Sequence, residues 1–328
     1  MTLDDQAQTS VGGKWPRRFF VAALKRSIIG YPFAKWLWPR LVTIHGRSLL
    51  VFGNLLGLKI TVVNRHNHGS MTAIGDTLLV NMVCKSIKQK YRRIKINVLT
   101  KNPEIISNSP WIDSFNESNG SLLMRIVFTY SFEGVQHEKN VVGEFYHRFN
   151  IPFSYESEVH LSKNEIAAAK HLWLCGEKPV IAINTTSVQN SKNWPVENWN
   201  WVIQRLKERC LIIQLGGKEE VIVDGTTPLA GRLGLRESMA CLASAKVFVG
   251  PDSFLMHAAR GLQIPSIIIL GGRLKPEHIG YSQNRNLYVA EDCGPCGLLG
   301  PCGHGVKCMD KIKPQLVLRC IEQALGTP

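Results

Sequence analysis

Apolar stretches alternate with amphipathic stretches along most of the chain, beginning near residue 58. The β-branched run LKITVVN at 58–64 predicts a buried strand, and GDTLLVNMVCKSIKQKYR predicts a helix, because its apolar residues recur at helical spacing. The run IKINVLT at 94–100 predicts a second strand. Strand, helix and strand in this order form the unit of a parallel sheet. In the less regular region 101–160, the run SLLMRIVFTYSF fits a helix or a strand.

The second half repeats this alternation more regularly. Strands are predicted at PVIAINTT, CLIIQLGG, KVFVG and SIIILGG, and helices at PVENWNWVIQRLKER, RESMACLASA and DSFLMHAARG. The last of these helices is expected to have Asp252 or Ser253 as its N-cap and to stop at Gly261. Short links between such elements predict a doubly wound α/β domain.

The length of 328 residues suits two domains rather than one. The element pattern predicts the following organisation: an N-terminal extension 1–57, a first domain 58–160, a linker 161–177, a second domain 178–310 that includes a cysteine-rich segment 293–308, and a C-terminal helix in 311–328 that packs back across the chain.

Charge is concentrated at the N-terminus. The chain has a net charge of +14, and residues 1–57 contribute about +6 of it together with interleaved Trp and Phe. This composition is typical of a peptide in a membrane interface. The run SLLVFGNLLGL is too short to span a bilayer, and no signal-peptide pattern is present. We therefore expect a cytoplasmic protein whose N-terminal segment lies on the inner membrane surface, or one whose extra helix packs on the first domain.

Four of the nine cysteines lie close together in CGPCGLLGPCGHGVKC, as Cys293, Cys296, Cys302 and Cys308. Their spacing in a cytoplasmic protein favours a structural site of four thiolates for zinc or iron; two disulfides or free thiols are the alternatives. In each case the segment is expected to be a structural clip or an oligomer contact without a chemical role. The other cysteines, expected to be small buried apolar residues, are Cys84, Cys175, Cys210, Cys241 and Cys320.

Polar residues follow several predicted strands, where ligands bind in parallel sheets. Asp76 follows Gly75 at a predicted helix start, and a hydroxyl pair with a lysine lies around the helix start in INTTSVQNSKNWP, which suits a phosphate. A second helix start carries Ser253, and His257 lies on the same helix face. A helix cap, a polar surface loop and a core histidine are the structural alternatives. No G-x-G-x-x-G or Walker lysine motif is present, which argues against a dinucleotide dehydrogenase or a P-loop enzyme.

The ordered set AIGDTLL, INTT…SKNWPVENW, LGGKEE, LGLRESMACLASAKVFVGPDSFLMHAARGLQIPSIIILGG and CGPC…C…CM resembles glycosyltransferase family 9, the ADP-heptose lipopolysaccharide heptosyltransferases and their relatives. The resemblance covers about 58–325 and is strongest over 180–310. It implies a glycosyltransferase-B fold, with two Rossmann-like domains facing a cleft. It also implies inverting, metal-independent sugar transfer from a nucleotide donor such as ADP-heptose to a lipid-linked saccharide or a protein.

The resemblance also assigns roles to individual residues. Asp76 matches the general base on the acceptor hydroxyl, and Lys192 the cation at the donor phosphates. The positions that match the remaining donor-binding residues are Thr185, Thr186, Glu219 or Glu220, Asp252, Ser253 and His257. The four-cysteine segment resembles that of relatives that modify autotransporter proteins and carry a cysteine-bound iron.

The chain departs from the family pattern at three places. Phe254 replaces the small residue, often glycine, that usually follows the Asp-Ser/Thr pair, which would alter a backbone contact with the donor. The loop RHNHGSMTAIGD is longer than usual before Asp76, and the basic extension has no counterpart.

The chemistry of transfer suits these residues. One carboxylate can take the proton of the attacking hydroxyl, and a lysine with a helix N-terminus can stabilise the departing diphosphate without a metal. The alternative function is a non-catalytic nucleic-acid-binding protein that uses the net charge and a four-cysteine zinc site. That alternative lacks a second CxxC pair and a basic-aromatic recognition pattern near the cysteines, so no nucleic-acid partner is expected.

Overall fold

The computed structural model describes residues 30–65, 73–117, 122–130, 140–172, 177–297 and 302–326, with the side chains of the first helix described from Arg40 onward. Predictions that concern residues 1–29, the loop 66–72 and Cys175 lie outside the described residues. Strands and helices alternate over much of the described part, most regularly from β8 to β10, as the hydrophobic pattern predicts.

Strands of the first half form a parallel sheet, which has four strands among the described residues in the order β3-β2-β1-β4. The strands are β1 (Lys59–Asn64), β2 (Lys95–Leu99), β3 (Ser114–Phe115) and β4 (Arg125–Phe128). The helices of this part are α1 (Gly30–Leu56), α2 (Asp76–Lys90), α3 (Gly143–Phe149) and α4 (Lys163–Lys170). The ambiguous run SLLMRIVFTYSF contains β4, which pairs with β1 over Thr61–Asn64.

The second half forms another parallel sheet, of six strands among the described residues, in the order β10-β9-β8-β5-β6-β7. The strands are β5 (Val180–Ile183), β6 (Leu211–Gln214), β7 (Thr227–Pro228), β8 (Val247–Pro251), β9 (Ser266–Gly271) and β10 (Arg285–Tyr288). The helices are α5 (Val196–Leu206), α6 (Leu235–Leu242), α7 (Phe254–Gly261), α8 (Pro276–Ile279), α9 (Lys307–Asp310) and α10 (Pro314–Leu325).

Helix α1 packs its C-terminal part on the first sheet. Leu49 and Leu50 are buried in the same cluster as the strand residues, and a side chain at Gly46 would collide with the ring of Phe149 on α3. The expected packing of an extra helix on this part of the chain is therefore observed for α1. No helix in the described part of the chain is long and apolar enough to cross a membrane.

The two sheets share buried contacts. One apolar cluster includes residues of both, from Ile60 on β1 to Met256 on α7. Arg236 on α6 binds Glu165 on α4 and donates to the carbonyl oxygen of Glu104 at 2.7 Å. These contacts bring the carboxyl ends of β1 and β4 close to those of β5, β8 and β9, where the candidate site lies.

Candidate active site

Two helices from different halves of the chain meet at their N-termini. Helix α2 begins at Asp76, and α7 begins at Phe254. A Cβ atom built on Gly75 would lie only 3.4 Å from the Cα atom of Phe254 and 3.2 Å from Cδ2 of His257. Glycine at position 75 therefore permits a close backbone approach. Helix N-termini favour negative charge, so this junction suits an anion.

Asp76 is buried on the first side of the junction and accepts a hydrogen bond from the Tyr130 hydroxyl, with 3.0 Å between the oxygen atoms. Burial raises the pKa of Asp76 to about 7; the Asp252 charge adds to this effect, while the Tyr130 hydrogen bond and Lys192 oppose it. Tyr130 reaches Asp76 because β4 lies parallel to and beside β1, so the segments that follow the two strands leave the sheet at the same edge. The carboxyl group can therefore exchange a proton near neutral pH.

Asp252 follows β8 on the opposite side of the junction and is also buried. Its Oδ2 atom lies 2.7 Å from Nζ of Lys192 and 3.8 Å from Nη1 of Arg273. Burial by itself would raise the pKa of Asp252, but Lys192 and smaller contributions from His257 and Arg273 hold it below its usual value. Asp252 therefore stays ionised and keeps Lys192 at the junction.

His257 lies on the first turns of α7 and is buried. Its Nδ1 atom lies 2.7 Å from the Tyr281 hydroxyl. Burial lowers the pKa of His257 to about 4, although the Asp252 charge opposes this shift. The imidazole is therefore neutral at pH 7 and adds no positive charge to the site.

The two predicted phosphate-binding threonines contact an internal carboxylate. Glu220 accepts hydrogen bonds from the backbone N–H groups of Thr185 and Thr186 and from the Thr185 hydroxyl, the last at 2.8 Å. Asn184 donates its side-chain N–H to the same carboxylate. Burial raises the pKa of Glu220, against the effect of these hydrogen bonds. Glu219, the other candidate at this position, is exposed.

Helix α7 has its N-cap at Ser253 and ends at Gly261, as the sequence predicts, but its N-terminus has no side-chain capping hydrogen bond. The Ser253 hydroxyl donates instead to Oδ1 of Asn184, at 2.9 Å, because β5 and β8 are neighbours and both end at this edge. Ser253 thus links the start of α7 to Asn184, which also donates a hydrogen bond to Glu220.

The fold brings most of the sequence-predicted site residues to the junction of α2 and α7. It adds three site residues that the sequence did not predict. These are Tyr130, Asn184 and Arg273. Each follows a strand of one of the two sheets, within two residues of its last residue. The position of Asn184 and Arg273 at or just after the ends of predicted strands could have indicated both residues. Tyr130 lies within the run SLLMRIVFTYSF, which fits a helix or a strand, so its position gives no such signal.

The cysteine-rich segment lies outside this junction. The four thiols are free; Cys293, Cys302 and Cys308 line a cavity of about 220 Å³ with His304, and Cys296 is not among its lining residues. Thiolate chemistry suits zinc or iron. Over the ranges that the structure describes, however, no group of three or more His, Cys, Asp or Glu side chains is placed to hold a metal ion.

Comparisons with known proteins match the chain to one family and to several solved structures. The family model described as glycosyltransferase family 9 (heptosyltransferase) matches residues 134–297, half of the chain. No curated protein sequence matches the chain significantly.

Solved structures share the fold at low sequence identity. E. coli ADP-heptose LPS heptosyltransferase II is 16% identical, with a TM-score of 0.61 over 82% of this chain and 98% of that one. The iron-containing dodecameric glycosyltransferase TibC from enterotoxigenic E. coli is 16% identical, with a TM-score of 0.62 over 82% of this chain and 76% of that one. TibC in complex with ADP-D-beta-D-heptose gives 14% identity and the same TM-score, over 82% and 77% of the two chains.

These matches show the glycosyltransferase-B fold, as the resemblance implied. The family model favours an enzyme over the alternative of a non-catalytic nucleic-acid-binding protein, because its description is that of a glycosyltransferase family. The match over half of its length shows that the chain belongs to glycosyltransferase family 9 and is a glycosyltransferase.

Proposed function

We propose that the protein transfers a heptose from ADP-heptose to an acceptor hydroxyl, with inversion at the anomeric carbon and without a catalytic metal. The observation that carries this proposal is the pair of buried aspartates at the junction. Asp76 has a pKa of about 7, whereas Asp252 has a lowered pKa and is bound to Lys192. One carboxyl group can thus act as a base while the other holds a cation. The complex of TibC with ADP-D-beta-D-heptose supports this choice of donor.

In the proposed reaction, Asp76 takes the proton of the acceptor hydroxyl. The hydroxyl oxygen forms a bond to the anomeric carbon from the face opposite the diphosphate, and this attack inverts the configuration. The bond between the anomeric carbon and the phosphate oxygen breaks, and its electron pair leaves with ADP. General-base catalysis of this kind contributes about 10²- to 10⁴-fold to a rate.

The departing diphosphate needs positive charge. Lys192 lies where α7 begins, and the backbone N–H groups of that helix face the same region. We infer that Lys192 and the start of α7, including Asp252 and Ser253, stabilise the leaving group. His257 would contribute packing or a hydrogen bond to the donor rather than charge, because it is neutral.

Donor binding would displace an internal carboxylate. The N–H groups of Thr185 and Thr186 already bind Glu220, so they are suited to an anion. We infer that a donor phosphate replaces the Glu220 carboxylate, which then becomes available to the ribose hydroxyls. Gly216 and Gly217 lie in the loop just before Glu220. Gly216 has a φ of 147°, and glycine, which has no Cβ atom, lets this loop adopt other backbone conformations. Glu219 stays the second candidate for the ribose contact.

Replacement of Asp76 tests the proposed function. In Asp76→Asn the base is lost while the shape of the side chain is kept, so sugar transfer in a single turnover should slow by about 10²- to 10⁴-fold. ADP affinity should stay within about twofold, because the lost interaction forms in the transition state. The matched control is Asp224→Asn, an exposed carboxylate. A near-normal transfer rate in Asp76→Asn would show that the base lies elsewhere.

The acceptor is proposed to be a lipopolysaccharide core or a protein, and α1 suggests where a lipid-linked acceptor is met. The outer face of α1 carries exposed Leu41, Ile44, Val51 and Leu55 at helical spacing, and Phe52 beside them is 60% exposed. The segment 30–56 contains Lys and Arg but no Asp or Glu. An apolar stripe in a purely basic helix suits an anionic membrane surface.

Liposome sedimentation tests the membrane proposal. The double variant Ile44→Ser, Val51→Ser should bind vesicles of phosphatidylglycerol more weakly than wild type, with neither protein binding phosphatidylcholine vesicles. A variant without residues 1–29 should keep part of the binding. Equal binding of the double variant and wild type would refute a membrane role for α1.

The cysteine-rich segment is proposed to hold one structural zinc or iron ion per chain. The ligands would be Cys293, Cys296, Cys302 and Cys308, which requires the thiols to move closer together than in the described structure. TibC, with a similar fold, is iron-containing and dodecameric, so we also expect an oligomer. Metal analysis and sedimentation of the purified protein test both points. Absence of metal with four titratable thiols in the folded protein would contradict the first.

A further inference from the structure

Arg273 is a buried cation at the active-site edge of the second sheet. It follows Gly271, the last residue of β9, and only 3% of its surface is exposed. Strand β9 lies beside β8, whose end carries Asp252. Few arginines are buried to this degree unless they serve a specific contact.

Arg273 and Lys192 share one carboxylate. Asp252 lies 2.7 Å from Lys192 and 3.8 Å from Arg273, so its ion pair with Lys192 is the closer one. His257 beside them is neutral at pH 7, and burial holds the Tyr130 hydroxyl in its neutral form. Lys192 and Arg273 thus both lie at the Asp252 carboxylate, beside the N-terminus of α7. A place where two cations and a helix N-terminus converge favours an anionic ligand.

The cysteine-rich segment fixes the backbone that carries Arg273. The N–H group of Gly297 donates to the carbonyl oxygen of Arg273 at 3.0 Å. A Cβ atom on Gly272 would lie 3.1 Å from Cβ of Cys308, and one on Gly294 would lie 2.6 Å from the Gly272 carbonyl oxygen. The turn before Arg273 is therefore packed closely against this segment. A guanidinium on a fixed backbone is preorganised for a ligand.

We propose that Arg273 binds the donor diphosphate together with Lys192 and stabilises the charge that develops on the leaving ADP. A planar guanidinium can donate two parallel hydrogen bonds to phosphate oxygens, which a lysine cannot do. Arg273 transfers no proton in this role; its N–H groups donate hydrogen bonds to the phosphate oxygen that takes up the electron pair of the broken bond. The inference rests on the proposed function, because it assumes a nucleoside diphosphate leaving group.

Equilibrium binding of ADP, adenosine and inorganic pyrophosphate to full-length protein tests the proposal. Arg273→Gln should weaken ADP and pyrophosphate binding by about 10- to 100-fold and leave adenosine binding unchanged. Arg273→Lys should recover part of the loss, and it provides a second variant if Arg273→Gln folds poorly. The control is Arg260→Gln, a part-buried arginine that pairs with Glu156 away from Asp252. It should bind all three ligands as wild type does.

The outcomes separate this proposal from the proposed function. Unchanged ADP and pyrophosphate affinity in Arg273→Gln, or an equal loss for adenosine, would overturn the role of Arg273. Wild-type protein that binds pyrophosphate but not ADP would instead overturn the proposed donor, and the pyrophosphate affinities of the variants would still decide the role of Arg273.

Discussion

Two buried aspartates at helix starts, Asp76 and Asp252, have opposite proton affinities. Each lies at the beginning of a helix, and each has less than a tenth of its surface exposed. Burial dominates at Asp76, which accepts a hydrogen bond from a tyrosine hydroxyl, and raises its pKa to about 7. At Asp252 a lysine at 2.7 Å outweighs burial and lowers the pKa. The two aspartates are similarly buried, yet Asp76 is a candidate base and Asp252 is a permanently charged counter-ion of Lys192.

Removal of the counter-ion should have the largest effect on folding. Asp252→Asn leaves Lys192 and Arg273 buried without their shared carboxylate, and breaking a buried ion pair in this way costs about 3–5 kcal/mol. Urea unfolding at pH 7.5 would measure this loss. A change below about 1 kcal/mol would mean that Asp252 is not needed to compensate the two cations.

Removal of the candidate base should have the opposite effect on stability. Because the folded pKa of Asp76 is raised, its ionisation costs stability as pH rises from about 4 to about 7, by roughly 4 kcal/mol in all. Asp76→Asn lacks this loss, so it should be more stable than wild type at pH 8 by up to about that amount. The difference should shrink toward pH 4.

Unfolding curves of both proteins at pH 4, 6 and 8 would measure the Asp76 effect. Lower stability of Asp76→Asn at pH 8 would show that the ionised carboxylate is stabilised by its surroundings and that the pKa of Asp76 is not raised.

Loss of the lysine should weaken donor binding, in addition to breaking the same buried ion pair with Asp252. Lys192→Ala should weaken ADP binding by about 1.5–3 kcal/mol, the usual contribution of a hydrogen bond to a charged group. The control is Lys246→Ala on the exposed surface. Calorimetric titration with ADP would measure both, and equal affinities would remove Lys192 from the donor site.

The Tyr130 hydroxyl should have the smallest effect. Its hydrogen bond lowers the pKa of Asp76, so Tyr130→Phe should shift the pH dependence of transfer upward. At pH 6 the rate should fall by up to about tenfold, and at pH 9 it should approach that of wild type. An equal loss at both pH values would indicate a structural role instead.

The sequence predicts the fold better than it predicts the contacts of the site. Hydrophobic periodicity locates β5, β6, β8 and β9, because buried parallel strands are continuous apolar runs. It also places Asp76 at the first residue of α2. The boundaries proposed for the two domains stay a prediction.

Side-chain partners depend on strand order, which periodicity does not contain. The hydrogen bond of Tyr130 to Asp76 requires β4 to lie beside β1. Arg273 reaches Asp252 because β9 pairs with β8. The sequence also places Ser253 at the N-cap of α7, but not its hydrogen bond: its hydroxyl donates to Asn184, which follows the neighbouring strand β5.

The pH dependence of kcat/KM for sugar transfer tests the central claim most directly. If Asp76 is the base, the rate should rise about tenfold per pH unit below about pH 7 and level off above it. Asp76→Asn should lie about 10²- to 10⁴-fold lower on the plateau, with no inflection near pH 7. A flat wild-type profile, or an inflection that persists in Asp76→Asn, would contradict the assignment of Asp76 as the base.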